Sequence, residues 1–149
     1  MSMKGASTIF RIVCLAAPLL IATRIRAQEP KEVSDGFCKC LVKHETNCVD
    51  QLYASFKWMA QDSEAKAKLA EQFNTLRNSK DIIGDLEAYE LLRDKNLGNT
   101  FRGLVYVLKY GRQPYRITLV FYKASERWSL FDFKLDEQLD VDFGKSLQE

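Results

Sequence analysis

TFRGLVYVLKY (100–110), GRQP (111–114), YRITLVFYK (115–123), ASE (124–126) and RWSLFDFKL (127–135) follow one another without a gap. The three longer pieces are rich in β-branched and aromatic residues. The short pieces between them supply Gly, Pro and Ser, so the segment reads as three strands joined by two turns. Just upstream, NLGN (96–99) is another turn, and 82–92 holds β-formers around Gly84, a glycine that marks a bulge. Consecutive hairpins form a meander. The pattern therefore predicts three or four antiparallel strands in sequence order.

Towards the N-terminus the apolar period lengthens. Phe37, Leu41, His44, Cys48, Leu52, Phe56 and Met59 step by three or four and predict one helix over 37–60. Ala65, Leu69, Phe73 and Leu76 predict a second over 64–77, capped by Asp62 or Ser63. Helices followed by strands make an α+β plan. The expected architecture is N-terminal helices packed on a curved antiparallel β-meander of 3–4 strands. The domain occupies 37–135, preceded by a flexible polar lead-in (28–36) and followed by an acidic tail (136–149).

The chain has 149 residues, 46% hydrophobic and 28% charged. That composition suits one domain with a core and excludes a disordered tail, a collagen-like fibre or a repeat array. The net charge of +2 is unevenly placed: Lys4, Arg11, Arg24 and Arg26 lie in 1–27, which has no acid. Taking those four from 22 cations leaves 18 against 20 acids, so the remainder is near neutral and gives no basis for nucleic-acid binding. Residues 12–23 (IVCLAAPLLIAT) would span about 18 Å as a helix, short of a bilayer core of roughly 30 Å. This predicts a secretory signal peptide cleaved near Ala27, a periplasmic or extracellular mature chain, and no stable membrane insertion. Arg24, Ile25 and Arg26 depart from the usual pattern of such signals.

Cleavage leaves Cys38, Cys40 and Cys48. On one continuous helix Cys38 and Cys48 would lie roughly 15 Å apart along the axis, beyond the reach of a disulfide. The regular apolar stripe favours that helix and buried thiols. If Asn47 caps a separate helix, with Asp50 in its first turn, a Cys40–Cys48 bridge becomes feasible. A third arrangement makes Cys38, Cys40, His44 and Cys48 metal ligands, but Cys-x-Cys is not the usual zinc spacing. No metal and no cofactor is expected.

Gly84, Tyr89-Glu90-Leu91-Leu92, Lys95-Asn96-Leu97-Gly98, then 106–110 (YVLKY), 121–123 (FYK), Trp128-Ser129-Leu130 and Phe133 together resemble small exported proteins of the nuclear transport factor 2-like (cystatin-like cone) superfamily. The resemblance covers roughly residues 50–140 and points to that superfamily's uncharacterised branch, without a catalytic signature. It implies helices packed into a curved sheet around a conical cavity. Some members are isomerases or dehydratases, others bind small molecules, and many only dimerise, so the chemistry stays open.

Side chains alternate along a strand. With three-residue loops at 111–113 and 124–126, Phe101, Gly103, Val105 and Val107 share a face with Ile117, Leu119 and Phe121, and with Ser129, Phe131, Phe133 and Leu135. That face is expected to lie under the helices. The other would carry Tyr106, Arg116, Tyr122, Trp128 and Asp132, a mixture of aromatics and single charges suited to a ligand or a dimer interface. Arg116 and Asp132 are expected to face each other, either as a cross-strand ion pair or as a polar pair that orients a ligand. A loop one residue longer would exchange the faces.

The function expected from these residues is non-enzymatic: self-association as a homodimer, or capture of a small apolar or aromatic ligand in a cone-shaped cavity. The alternative is a small lyase or isomerase using His44, the single histidine, as general base beside Glu87, Glu90 or Asp132. Other chemistries lack their motifs. There is no Gly-x-Gly, no phosphate loop and no Gly-x-Ser-x-Gly elbow. DVDFG (140–144) lacks the acidic spacing of a calcium loop. Lys109, Arg112 and Arg116 gather at one turn without a wider basic stripe and read as edge charges.

Overall fold

The computed structural model describes residues 29–56 and 63–139. The expected export signal over 1–27 and the acidic residues beyond 139 lie outside the described residues. Helix α1 (Pro30–Val42) starts inside the stretch expected to be a loose lead-in. Proline at the first helical position explains this: its ring presets φ, and its missing N–H has no helical partner to lose.

The continuous helix expected over 37–60 is broken. Helix α1 ends at Val42 and α2 (Cys48–Ala54) begins after a short loop. Within the loop His44 adopts φ 58. The His44 and Glu45 N–H groups donate back to the carbonyls of Leu41 (2.9 Å) and Cys40 (3.3 Å), closing α1 in a Schellman-like turn. The Cys40–Cys48 disulfide holds the two Cα atoms 5.5 Å apart. Eight residues of unbroken helix would separate them by about 12 Å. The bridge and the long helix exclude each other, and the bridge is what forms. It also removes two members of the four-residue metal set. Phe37, Leu41, Cys48, Leu52 and Phe56 remain buried on either side of the break, while His44 leaves the core.

Helix α3 (Ser63–Asn78) follows the expected stripe and buries Leu69, Phe73 and Leu76. A short helix α4 (Lys80–Ile83) takes up residues expected to start a strand and buries Ile83. Gly84 then turns the chain at φ 86, and a Cβ there would lie 2.8 Å from the Gly111 nitrogen. This close approach brings the Gly111 N–H to the Asp85 carbonyl (3.0 Å) and the Arg112 N–H to that of Ile83 (2.8 Å).

The sheet contains β1 (Leu86–Leu97), β2 (Phe101–Tyr110), β3 (Pro114–Ala124) and β4 (Arg127–Asp136) in the order β1-β2-β3-β4, all antiparallel. The protein is thus α+β, with its helices ahead of a four-stranded meander. The register corrects the expected sorting of faces. Lys109 pairs with Pro114, so the β2–β3 loop holds four residues rather than three. That single residue turns β2 over. Leu104, Tyr106 and Leu108 now face the helices with Ile117, Leu119 and Phe121, all six fully buried. Each such side chain contributes about 1.5–3 kcal/mol relative to exposure. The β3–β4 turn is one residue shorter than expected, Ala124 pairing with Arg127, and a bulge beside Val120 and Phe121 then shifts the register back. Trp128 and Leu130 therefore join the core face before the bulge, and Phe133 and Leu135 after it.

Candidate functional site

The corrected register separates the expected site residues. Tyr106 and Trp128 lie on the helix side of the sheet, whereas Arg116, Tyr122 and Asp132 lie on the opposite, outer side. A cavity lined jointly by Tyr106, Tyr122 and Trp128 is therefore not formed. Trp128 is half-buried, with the Lys123 ammonium 5.6 Å above its ring. Tyr106 has 0% exposure. Its hydroxyl donates to Asp35 Oδ1 at 2.8 Å, and Lys31 Nζ holds the other Asp35 oxygen at 2.5 Å. Burial and the bond to Asp35 push the Tyr106 phenol far above its ordinary range. Cys38 beside it is a buried free thiol, and burial raises its pKa well beyond that of a reactive cysteine. Nearby, Arg102 makes two bonds to Asp94 (2.9 and 2.8 Å) and one to Glu29 (3.2 Å). That pairing holds the Asp94 carboxyl below the usual range. Together these contacts clamp the start of α1 to β1 and β2.

His44 lines a small cleft with Asp85, Arg77, Lys80 and Tyr110. The cleft volume is about 60 Å³. Pockets for small-molecule ligands start at roughly 300 Å³. No carboxylate accepts a hydrogen bond from His44 among the described residues. Of the partners expected for it, Glu90 pairs with Lys109, and Asp132 is on the far side of the sheet. An open groove of about 270 Å³ runs between α1 and α2, lined by residues such as Val33, Phe37 and Leu52.

The outer face of the sheet carries the more distinctive arrangement. Phe101 and Tyr122 are cross-strand partners with ring centroids 5.1 Å apart. Phe131, the residue set apart by the β4 bulge, meets Phe101 edge-on at 5.8 Å and Tyr122 at 6.4 Å. Leu97 is the cross-strand partner of Phe101 on the other side. Phe131 is 67% exposed and Leu97 73%. The described helices pack on the opposite side of the sheet.

Charges on this face are mostly paired within the chain. Arg116 Nη2 and Lys134 Nζ both reach Asp136 Oδ2 at 2.9 Å. Burial opposes the Asp136 charge, but these bonds and the Gln138 N–H outweigh it and lower its pKa. The expected Arg116–Asp132 pair does not form, because the register puts Asp136 opposite Arg116 and Val120 opposite Asp132. Neither the aromatic trio nor the Tyr106–Asp35 clamp was legible in the sequence. The signal that could have shown the first is a strand, 101–110, that is apolar at both odd and even positions.

Among the described residues no group of three His, Cys, Asp or Glu side chains is placed to hold a metal, and no helix is long and apolar enough to cross a membrane. Comparison with protein-family models, with curated proteins and with solved structures returns no match to this chain.

Proposed function

We propose that this chain is an exported, non-enzymatic domain that self-associates through the outer face of its sheet. The observation that carries the reading is the aromatic cluster of half-buried Phe101 and Tyr122 with exposed Phe131, and exposed Leu97 beside it, on the face opposite the helices. Contiguous apolar surface of this kind marks an association site, and rings with apolar bodies and a phenolic tip suit a contact that is wet when open and dry when closed. Capture of a small ligand in a cone-shaped cavity draws less support, since the helix side of the sheet is filled by the six buried side chains from Leu104 to Phe121. The resemblance to the nuclear transport factor 2-like superfamily fits a helix-then-meander chain and stays part of the proposal. So does export, for which the Cys40–Cys48 disulfide is the supporting feature, because such bonds persist in oxidising compartments.

The test is molar mass by light scattering over a concentration series. Mass is expected to rise towards twice the monomer value. Phe131→Asp changes an exposed residue and is expected to return the protein to monomer without altering its fold. A mass that stays at the monomer value throughout would refute the reading.

A further inference from the structure

The register sets four outer-face residues on one level of the sheet. Lys95 pairs with Gly103, Gly103 with Val120, and Val120 with Asp132. A basic residue thus stands at the β1 edge and an acidic one at the β4 edge, with a glycine and a valine between them. Several other charges on this face are used within the chain: Glu90 with Lys109, and Arg116 and Lys134 with Asp136. Lys95 and Asp132 have no ion-pair partner among the described residues. A Cβ built on Gly103 would touch only the Lys95 carbonyl oxygen, at 4.0 Å, so Gly103 leaves a dent in the surface beside the Val120 side chain. Glycine inside a strand often marks close approach by another backbone or ligand.

Resting on the self-association reading, we infer that the partner is a second copy of this chain, stacked face to face about a two-fold axis parallel to the strands and running between β2 and β3. Such an axis carries each level onto itself with its ends exchanged. Lys95 then stands over Asp132 of the other copy and Asp132 over its Lys95. Val120 enters the dent at Gly103, twice, and Phe101 lies over Tyr122. The arrangement satisfies both unused charges and fills the dent with one operation. Aligned sheets cross at about 30°, which displaces the edge strands by roughly 4 Å, within the reach of a lysine. On the next level Arg93 approaches Lys134, whose charge Asp136 offsets only in part because it also pairs with Arg116, so that level opposes close stacking. Contact is therefore centred on the levels of Lys95 and Leu97. Four strands at about 4.8 Å and roughly 20 Å of strand length give about 400 Å² per copy, the size of a weak, reversible association. A Kd on the order of 100 µM is expected.

The test is sedimentation equilibrium of the purified protein, its Lys95→Asp and Asp132→Lys variants, and the double variant carrying both. Both substituted positions are exposed, and circular dichroism checks the fold of each variant. The expected result is a dimer weakened about tenfold or more by each single reversal and restored by the double, since only juxtaposed residues recover when exchanged. Gly103→Leu, which fills the dent, is expected to abolish the dimer. A wild-type dimer indifferent to both reversals and to Gly103→Leu overturns the two-fold stacking while leaving self-association intact. Wild-type protein that stays monomeric up to roughly 1 mM overturns both.

Discussion

Replacing Tyr106 separates the two faces of the sheet experimentally. On the outer face, Tyr106→Arg would disrupt a contact between copies and yield a folded monomer. On the inner face it forces a guanidinium among fully buried Leu104, Leu108 and Ile117. Even with the Asp35 carboxylate as a counter-charge, desolvating the guanidinium and overfilling the layer cost about 3 kcal/mol, a large share of the 5–15 kcal/mol that holds a domain together. The milder Tyr106→Phe removes only the hydroxyl that donates to Asp35 at 2.8 Å. A hydrogen bond to a charged group is worth about 1.5–3 kcal/mol. Asp35 keeps Lys31 and is 25% exposed, so water can replace the lost donor. The cost therefore falls near the lower end, about 1.5 kcal/mol, or roughly 5 °C in midpoint for a domain of this size. Urea unfolding at low protein concentration measures both variants without a contribution from association. The expected order is wild type, then Tyr106→Phe, then Tyr106→Arg far below. A Tyr106→Arg protein with the wild-type midpoint would refute the register and the assignment of faces with it.

Two further outcomes follow from the loop and from the tyrosines. His44 occupies φ 58, a region costly for a residue with a side chain and free for glycine; His44→Gly is expected to raise stability by about 0.5–1 kcal/mol in urea unfolding, and a loss instead would mean that its side chain contributes more than the backbone strain costs. Burial raises the phenols of Tyr110 and Tyr115 from 10.0 to about 12, and Tyr106 further. Their folded pKa values exceed the unfolded value, so the stabilisation is complete below pH 10 and is lost as pH climbs towards 12. Thermal midpoints are expected to fall over that interval together with the rise of tyrosinate absorbance, and flat midpoints would contradict the burial of these rings.

The extent of the strands was legible because their chemistry is local. The three runs over 100–110, 115–123 and 127–135 match β2, β3 and β4 to within about a residue at each end. Helix α3 was legible for the same reason, four apolar residues at helical spacing between polar flanks. What could not be read was parity. Whether Tyr106 points inward depends on whether Tyr110 belongs to the strand pairing or to the loop, a difference of one residue. Hydrophobicity does not settle it, because Leu104, Tyr106 and Leu108 are no more apolar as a set than Phe101, Val105 and Val107. The break after Val42 was hidden in a different way. The apolar stripe continues through it, and its cause lies in a covalent bond between two cysteines eight residues apart. Arg116 lies on the outer face, and its partner is Asp136 rather than the expected Asp132 because of the bulge near Phe131.

The same ambiguity in β2 carries the functional argument. An antiparallel strand with one wet face alternates apolar and polar residues, and a strand covered on both sides does not. In β2 the middle of one set of alternate residues, Leu104, Tyr106 and Leu108, is fully buried on the helix side. The other set, Phe101, Gly103, Val105, Val107 and Lys109, carries its one charge at the far end, paired with Glu90, and is apolar from Phe101 to Val107. Val105 and Val107 are already buried, so the exposed apolar surface is concentrated at the Phe101 end. The exposed Leu97 and Phe131 and the dent at Gly103 are at that end, as are the unused charges of Lys95 and Asp132. A strand that is largely apolar on both faces, in a sheet whose described helices cover one, is the feature on which the proposal of a second layer at that end rests. A copy of the same sheet, turned about its strands, brings an aromatic face, a valine for the dent and the opposite charge to each edge.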